Sequence, residues 1–225
     1  MNALALLKMG LPLFDGLDSD ALAAIDLKWT EYEFSSGNTV FSQDDESGDV
    51  LFLLSGALLA LYRTQAGQEV VFRRHLVGSY LGELSALDNQ PRSLAIFAKT
   101  DARVLRMEQA SFLRLMDNLH TFRNRVIMDL TKRIRSLTYK TLELSTFTIE
   151  QRVCSFLVRL ALDSDRLVAG GIIEGAPTHS EIANSIGATR EAVSRTISDL
   201  SKRGIIKTGR QKIEVILPQV LFDAV

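Results

Sequence analysis

At residues 82–93 the chain reads Gly82-Glu83-Leu84-Ser85-Ala86-Leu87-Asp88-Asn89-Gln90-Pro91-Arg92-Ser93. Gly82 can adopt a positive φ or let a ligand approach the backbone, and a helical turn after it would point free N–H groups at an anion. The planar guanidinium of Arg92 suits phosphate oxygens, and Ser93 adds a hydroxyl. Ionised Glu83 only accepts hydrogen bonds, so it needs a donor such as a sugar hydroxyl. The stretch predicts a nucleotide site, with an ordinary surface loop as the alternative.

Short β-rich runs surround this stretch, and turn residues separate them at close spacing. They are Glu31–Phe34, Thr39–Ser42, Val50–Leu54, Leu58–Arg63, Glu69–His75, Leu94–Ala98 and Ala102–Met107. This texture is typical of a small barrel or sandwich. We therefore predict a β-rich domain with the ligand stretch inserted between two of its strands.

A long helix follows the strands, from Glu108 onward, with apolar residues at the heptad a and d spacing. Its seam consists of Ile127, Leu130, Ile134, Leu137, Thr141 and Leu144. A helix of about 35 residues would reach about 50 Å, which exceeds what one small domain can cover. The spacing therefore favours a symmetric dimer through this helix, over a helix that packs only on its own domain.

Composition excludes several classes of protein. The chain has 225 residues, is 46% hydrophobic, and has one cysteine, Cys154. A single cysteine excludes an internal disulfide and a multi-cysteine metal or iron–sulfur site. The longest apolar run, Val50–Tyr62, is too short to cross a bilayer, and the N-terminus lacks the features of a secretory signal. We expect a cytoplasmic protein with no membrane partner.

The region after Thr148 predicts a compact helical domain. A short helix over Thr178–Gly187 ends at a glycine suited to the left-handed conformation, and Thr189 is a good N-cap for the next helix. That second helix exposes Arg190, Glu191, Ser194, Arg195 and Ser198. Helix, glycine-containing turn and helix form the helix-turn-helix pattern, and a hairpin after Gly204 would be its wing. Residues 178–212 carry seven Lys or Arg against three acids, which suits a polyanionic partner.

Two motifs together resemble the CRP/FNR superfamily of bacterial transcription regulators. The first is Gly82-Glu83-Leu84…Pro91-Arg92-Ser93, similar to the phosphate-binding cassette of cyclic-nucleotide-binding domains. The second is Ile182-Ala183…Gly187-Ala188-Thr189-Arg190-Glu191-Ala192-Val193-Ser194-Arg195, similar to the DNA-reading motif. The resemblance implies an α+β chain with three parts. These are an N-terminal jelly-roll-type β-roll (1–108), a dimerisation helix (109–145) and a C-terminal winged helix-turn-helix domain (146–225).

The resemblance assigns roles at the effector site. Glu83 would accept from the ribose 2′-hydroxyl and Arg92 would pair with the cyclic phosphate. Gly82, Leu84 and Ser93 would add hydrogen bonds. Leu137 stands where the family has a hydroxyl that contacts the purine, so Thr138, from the partner subunit, is the remaining candidate. Arg73, together with His75, would border the base. The effector would be cAMP, with cGMP or another nucleotide, or no effector at all, as the alternatives.

On the DNA side, the resemblance implies double-stranded DNA with inverted-repeat half-sites. Arg190 and Arg195 would contact guanine and Glu191 would contact cytosine. The residues expected to contact the DNA backbone are Thr189, Ser194, Lys202, Lys207, Arg210 and Lys212. For the four lysine and arginine residues among them, a solvated wing is the alternative. RNA polymerase is a further partner that the resemblance allows.

Three rival functions fit the residues less well. Haem would need an axial ligand, and His75 is the only histidine in the predicted roll. A phosphodiesterase would need a metal cluster or an activated nucleophile, and neither motif is visible. A kinase-subunit or channel nucleotide domain would not carry a helix-turn-helix. We therefore expect a non-enzymatic regulator with no metal, haem or iron–sulfur cluster.

Overall fold

The N-terminal part of the chain forms two four-stranded antiparallel sheets, with strand orders β1-β8-β3-β6 and β2-β7-β4-β5. The computed structural model describes residues 3–63 and 69–224. The strands are β1 Trp29–Phe34, β2 Thr39–Phe41, β3 Val50–Ser55, β4 Leu58–Arg63, β5 Glu69–His75, β6 Tyr80–Leu81, β7 Ala95–Ala98 and β8 Ala102–Met107. Seven of them lie where the sequence predicts a strand, and the two-residue β6 was missed. The predicted jelly-roll-type β-roll is confirmed.

Four helices belong to this part of the chain or begin in it. They are α1 Ser19–Ala23, α2 Glu83–Asp88, α3 Gln109–Asn118 and α4 His120–Thr146. Two short 3-10 segments, Ala3–Lys8 and Pro12–Phe14, precede α1. One apolar cluster fills the space between the sheets, and a second packs α3 and the start of α4 on the roll. In that second cluster, the ring of Phe122 packs edge to face on Phe112 and at a tilt on Phe14.

The prediction of a single helix from Glu108 onward is wrong in one respect. Leu119 has extended backbone angles, φ −115° and ψ 97°, and separates α3 from α4. Its side chain is buried against the roll, so burial outweighs continuation of the helix at this position. The second helix, α4, has 27 residues and a length of about 40 Å.

The chain divides into two compact units, residues 1–133 and 134–225, and the division falls within α4. The second unit contains α5 Ile149–Asp163, β9 Gly171–Glu174, α6 His179–Ile186, α7 Arg190–Lys202, β10 Ile206–Gly209, β11 Lys212–Val215 and α8 Pro218–Asp223. Capping boxes at Thr148 and Thr178 start α5 and α6. The wing is a three-stranded sheet in the order β10-β11-β9, because β9 adds to the predicted hairpin.

Candidate nucleotide pocket and DNA interface

The cassette begins at a glycine that no other residue could replace without strain. Gly82 has φ 87° and stands at the N-cap of α2. A Cβ at this position would lie 2.8 Å from the carbonyl oxygen of Asp49 and would also collide with the guanidinium of Arg92. A positive φ and a close approach therefore both require glycine here.

Arg92 lies inside the cassette with only 3% of its surface exposed. Its Nη1 donates to the carbonyl of Gly82 at 2.9 Å, and its Nη2 donates to the carbonyl of Asp49 at 2.6 Å and to Ser47 Oγ at 3.1 Å. The guanidinium also stands 4.4 Å from the ring centre of Phe41. Burial lowers the pKa of Arg92, although nearby carboxylates oppose this change.

One buried donor of Arg92 has no partner. Its Nε is buried and without a hydrogen bond within the described part of the chain. Three hydrogen bonds use three of the five guanidinium donors. Since buried donors are normally paired, an anionic oxygen at this position would satisfy Nε. The buried and unpaired Nε therefore makes the cassette a suitable site for a phosphate group.

Helix α2 is held from outside by Gln109, the first residue of α3. The side-chain Nε2 of Gln109 donates to the carbonyl of Ala86 at 3.0 Å and to Asn89 Oδ1 at 2.6 Å. Its backbone N–H donates to Asp49 Oδ1 at 3.2 Å, and Asp49 also pairs with Arg106. Asn89 ends α2 in the left-handed conformation at φ 57°. These bonds hold the C-terminal half of α2 relative to Asp49, the residue before strand β3.

Glu83 is a buried carboxylate with a cationic partner on α4. Only 4% of the residue is exposed, and Oε1 accepts a hydrogen bond from Nη1 of Arg133 at 2.6 Å. Burial raises the pKa of Glu83, and the charge of Arg133 acts in the opposite direction. The ion pair offsets part of the cost of burying the carboxylate, a cost that would be larger for an unpaired charge.

Arg133 extends this pair into a four-residue network. Its Nη2 bonds Asp129 at 2.7 Å, one turn earlier on α4. The hydroxyl of Tyr80 donates to the same carboxylate at 2.9 Å, and the guanidinium stands 4.9 Å from the Tyr80 ring centre. Burial and the bond to Asp129 raise the pKa of Tyr80, which therefore stays protonated. The network connects the cassette, strand β6 and α4.

Strand β5 contributes two polar residues to the interior face of the roll. Arg73 pairs with Ala60 and His75 pairs with Leu58, and both partners lie in the core between the sheets. The register shifts only beyond this point, between Ala60 and Leu61, so Arg73 and His75 are two residues apart on a regular part of β5 and share one face. Arg73 is exposed, whereas His75 is buried. Arg73 also lies within electrostatic range of Glu83.

The remaining predicted ligand residues lie at the surface. Leu84 and Ser93 are exposed beside Glu83 and Arg92 respectively. Thr138 is exposed in the second unit, where its hydroxyl donates to the carbonyl of Ile134 at 3.0 Å. Sequence reasoning missed Ser47, Asp49, Gln109 and Arg133, because none of them belongs to a local motif.

The helix-turn-helix consists of α6, the turn 187–189 and α7. Gly187 closes α6 at φ 62°, in the left-handed region, as the sequence predicts. The hydroxyl of Thr189 caps α7 by accepting from the backbone N–H of Ala192 at 3.2 Å. From α5, Nη1 of Arg152 donates to the carbonyls of Ile186 and Gly187 at 2.8 and 3.3 Å. The turn is therefore held by a charge at the carboxyl end of α6.

The first turns of α7 present a polar face to solvent. Arg190, Glu191, Ser194 and Arg195 are exposed, and Val193 lies on the opposite, buried face. Within the residues that the structure describes, neither arginine has an ion-pair partner, so both guanidinium groups are free to contact another molecule. Thr189 differs from this set, because its hydroxyl is used as the helix cap.

The basic residues at the end of α7 and in the wing differ in their environments. Lys202, Lys207 and Arg210 are exposed. The ammonium of Lys212 pairs with Glu174 on β9 at 3.0 Å. A DNA phosphate would compete with this surface pair, which contributes little to stability.

Apolar side chains along α4 lie open to solvent in the single chain. Ile134 is 64% exposed, and Ile127, Leu137 and Leu144 are also exposed. Leu130 differs, because it is half-buried and packs on the core of the first unit. Thr141 bonds the carbonyl of Leu137 at 2.9 Å within the helix. Leu144 also reaches the helix-turn-helix, since its Cδ2 lies 3.0 Å from the Cβ position of Gly187.

Three further observations concern other kinds of site. Among the described residues there is no cluster of three His, Cys, Asp or Glu side chains that could hold a metal ion. The helices found there are all too short or too polar to span a membrane. Cys154 is a buried free thiol, and burial raises its pKa to about 11.

Two family models match the chain. The cyclic nucleotide-binding domain matches residues 31–118, and the Crp-like helix-turn-helix domain matches residues 151–223. Together they define the class of protein, a DNA-binding regulator with a cyclic nucleotide-binding domain. The chain belongs to the CRP/FNR family of transcription regulators, which are not enzymes. The resemblance stated from the sequence is confirmed.

Similar proteins span nearly the whole chain. The cyclic AMP receptor protein of Thermus thermophilus is 29% identical over 95% of this chain and 98% of its own length. The CRP-like cAMP-activated global transcriptional regulator of Mycobacterium tuberculosis is 24% identical over 87% of this chain and 88% of its own. The solved structure of FixK2 from Bradyrhizobium japonicum has a TM-score of 0.68 at 23% identity, covering 88% of this chain and 98% of its own. This last likeness supports the fold.

Proposed function

We propose that this chain is a cAMP-dependent, sequence-specific transcription regulator that acts mainly as an activator. The observation that carries the proposal is a pair of sites in one chain. Glu83 and Arg92 are buried in a glycine-initiated cassette, and Arg190 and Arg195 are exposed at the start of a recognition helix. Relatives that cover most of the chain are named for cAMP, which favours this effector over cGMP.

Within the pocket, each group has a distinct role. Arg92 binds the cyclic phosphate through its unpartnered Nε, and Ser93 with the backbone at Gly82 and Leu84 adds hydrogen bonds. Glu83 accepts from the ribose 2′-hydroxyl on the carboxylate oxygen that Arg133 leaves open. The bound nucleotide supplies an anion and a donor hydroxyl, so it complements a buried cation and a buried anion.

The base end of the pocket involves two further residues. Arg73 borders the base from the same chain, and Thr138 of the partner subunit reaches it across a homodimer. The homodimer forms through the exposed apolar stripe of α4, because a soluble monomer rarely leaves such a stripe uncovered. Leu137 belongs to this seam and makes no hydrogen bond to the base.

Coupling between the two sites follows from α4. Arg133 connects the cassette to α4, and the same helix carries the dimer seam. A nucleotide that changes the Glu83–Arg133 contact therefore biases how two α4 helices pack. In a dimer, that packing sets the separation of two recognition helices, which must be about 34 Å for successive major grooves. Nucleotide affinity and DNA affinity are then coupled reciprocally.

On DNA, the dimer reads two inverted-repeat half-sites. Arg190 and Arg195 bond guanine edges and Glu191 accepts from cytosine, and each arginine contributes about 1–3 kcal/mol of discrimination. The contacts to the DNA backbone come from Thr189, Ser194, Lys202, Lys207, Arg210 and Lys212. Since its target is the chromosome, the protein acts in the cytoplasm, and activation would bring it into contact with RNA polymerase.

The test combines calorimetry of cAMP binding with fluorescence anisotropy on an inverted-repeat duplex, selected by the wild-type protein from a randomised pool. Arg92→Ala should weaken cAMP binding at least about tenfold, since a charge-assisted bond is worth about 1.5–3 kcal/mol. Arg190→Ala should weaken DNA binding and leave cAMP affinity unchanged. Arg103→Ala, which removes an exposed arginine of β8 that pairs with Glu31, is the matched control and should change neither.

Two results would contradict the proposal. One is wild-type protein that binds the duplex equally with and without cAMP. The other is Arg92→Ala protein, shown to be folded by the emission of Trp29, that keeps wild-type stimulation by cAMP. Arg92→Lys covers the case in which the alanine variant does not fold, because it keeps the charge and loses the planar fork.

A further inference from the structure

His75 is a buried polar residue without a hydrogen bond at one of its nitrogens. The residue is 6% exposed, and Nδ1 has no partner within the described ranges 3–63 and 69–224. Most buried polar atoms in folded proteins are paired, so an unpaired one needs an explanation. A missing ligand atom is one explanation, provided that the residue faces a ligand site.

The geometry of β5 meets this condition. His75 pairs with Leu58, a fully buried residue of the core between the sheets, so it faces the interior of the roll. The exposed Arg73, two residues earlier, faces the same way at the open rim. Along this face of β5, the side chains therefore change from exposed at Arg73 to buried at His75.

The surroundings of His75 keep its ring neutral. Burial, followed by the charges of Arg73 and Arg133, lowers its pKa to about 4. At neutral pH the imidazole therefore has one N–H donor and one acceptor nitrogen. Guanidinium groups can only donate, so His75 offers the acceptor capacity that its cationic neighbours lack.

The covalent order of a cyclic nucleotide then indicates which part of it would meet His75. In a 3′,5′-cyclic nucleotide the phosphate bridges O3′ and O5′, the free hydroxyl is at C2′ next to C3′, and the base is at C1′. Arg92 is the phosphate residue and Glu83 the hydroxyl residue, so the base must lie beyond Glu83 on the side away from Arg92. The charges of Arg133 and Arg73 act on both Glu83 and His75. His75 is therefore near the hydroxyl end of the pocket, from which the base would extend.

We propose that His75 is a specificity-determining residue whose ring hydrogen-bonds an edge of the nucleotide base through Nδ1. This inference rests on the proposed function, since it assumes a cyclic nucleotide held by Glu83 and Arg92. His75 would select the base from within the chain whose Arg92 binds the phosphate, in addition to Thr138 of the partner subunit.

Two substitutions test the role of the nitrogen. His75→Leu removes both nitrogens and keeps most of the volume, whereas His75→Asn places an amide atom close to the position of Nδ1. Calorimetry would compare cAMP, cGMP and 3′,5′-cyclic CMP, which share the ribose and cyclic phosphate and differ in the base. His75→Leu should weaken the tightest of the three about fivefold, the equivalent of about 1 kcal/mol for one hydrogen bond. His75→Leu should also bring the three dissociation constants closer together. His75→Asn should keep most of the wild-type order of affinities.

Stability separates this role from a structural one. Since Nδ1 is unpaired without nucleotide, His75→Leu should be at least as stable as the wild type in urea unfolding at neutral pH. An equal loss of affinity for all three nucleotides, an unchanged ranking, or a less stable leucine variant would each overturn the inference. Failure of the proposed function is a different result, because wild-type protein would then bind none of the three.

Discussion

Arg133→Met is the substitution that best tests the polar network around the cassette. It removes the cationic partner of Glu83, a carboxylate with a side chain that is 5% exposed, and keeps an apolar chain of similar length. Removing one member of a buried ion pair typically costs about 3–5 kcal/mol, because the remaining charge is unpaired. Glu83 can avoid this cost by taking up a proton. The free energy of that protonation is therefore an upper limit on the electrostatic part of the lost stability.

The limit depends on pH. The ordinary pKa of a glutamate is 4.5, and protonating it at a higher pH costs about 1.4 kcal/mol for each unit of difference. The electrostatic loss therefore cannot exceed about 3.4 kcal/mol at pH 7 or about 1.4 kcal/mol at pH 5.5. In the variant, folded Glu83 has a raised pKa and binds a proton that the unfolded chain has released. Stability relative to the wild type should therefore fall as the pH rises from 5.5 to 7.

Urea unfolding followed by Trp29 fluorescence measures this loss in the correct part of the molecule. Trp29 is the only tryptophan of the chain, is 7% exposed, and lies in the unit that contains the network. Protein concentration must be held fixed, because association would shift the apparent stability. Arg103→Met, which loses an exposed ion pair, is the control and should cost at most about 1 kcal/mol at either pH.

The double variant Glu83→Gln with Arg133→Met completes the cycle. A neutral amide has no charge to leave unpaired, so the double variant should be more stable than Arg133→Met at pH 7, and its loss should not vary with pH. The reasoning would be refuted by an equal loss from Arg133→Met at pH 5.5 and 7. A loss below about 1 kcal/mol at pH 7 would equally show that the pair contributes little.

Three further outcomes are expected. Gly82→Ala should destabilise the first unit by more than about 1 kcal/mol in the same fluorescence assay, since φ is 87° and the new Cβ would meet Arg92. Gly187→Ala, at φ 62°, should lower DNA affinity in the anisotropy assay and leave cAMP affinity unchanged in calorimetry. The lowered pKa of His75, about 4 against 6.5, means that the unfolded chain binds a proton first as pH falls, so stability is lost below pH 6.5. His75→Asn should abolish about 3 kcal/mol of this loss between pH 6.5 and 4, measured by urea unfolding at several pH values.

The strands of the roll and the helix-turn-helix could be predicted because their signals are local. Glycine and polar turn residues separate the β-rich runs at close spacing, which predicts a series of short strands. Gly187 and Thr189 similarly predict the end of one helix and the start of the next. Each of these features depends on residues within a few positions, which a single sequence displays directly.

Other features depended on contacts with distant parts of the chain, which the sequence does not display. The strands β6 and β9 have two and four residues, too few for a periodic pattern, and form because a neighbouring strand offers hydrogen-bonding groups. The break at Leu119 has no proline or glycine to mark it. It occurs because the leucine side chain packs on the core of the roll, a contact between distant parts of the chain.

In the cassette, too, some features could be predicted from nearby residues and others depend on distant parts of the chain. Glu83 and Arg92 are recognisable from their spacing, but the groups that complete them lie 43 to 50 residues away, at Ser47, Asp49 and Arg133. These partners already hold both charged side chains before any nucleotide is bound, so a ligand would not need to pay for ordering them. A preformed pocket of this kind confers affinity through the few atoms that are still unpaired. Arg92 Nε and His75 Nδ1 are two such atoms, and we propose that they meet the phosphate and the base of the nucleotide.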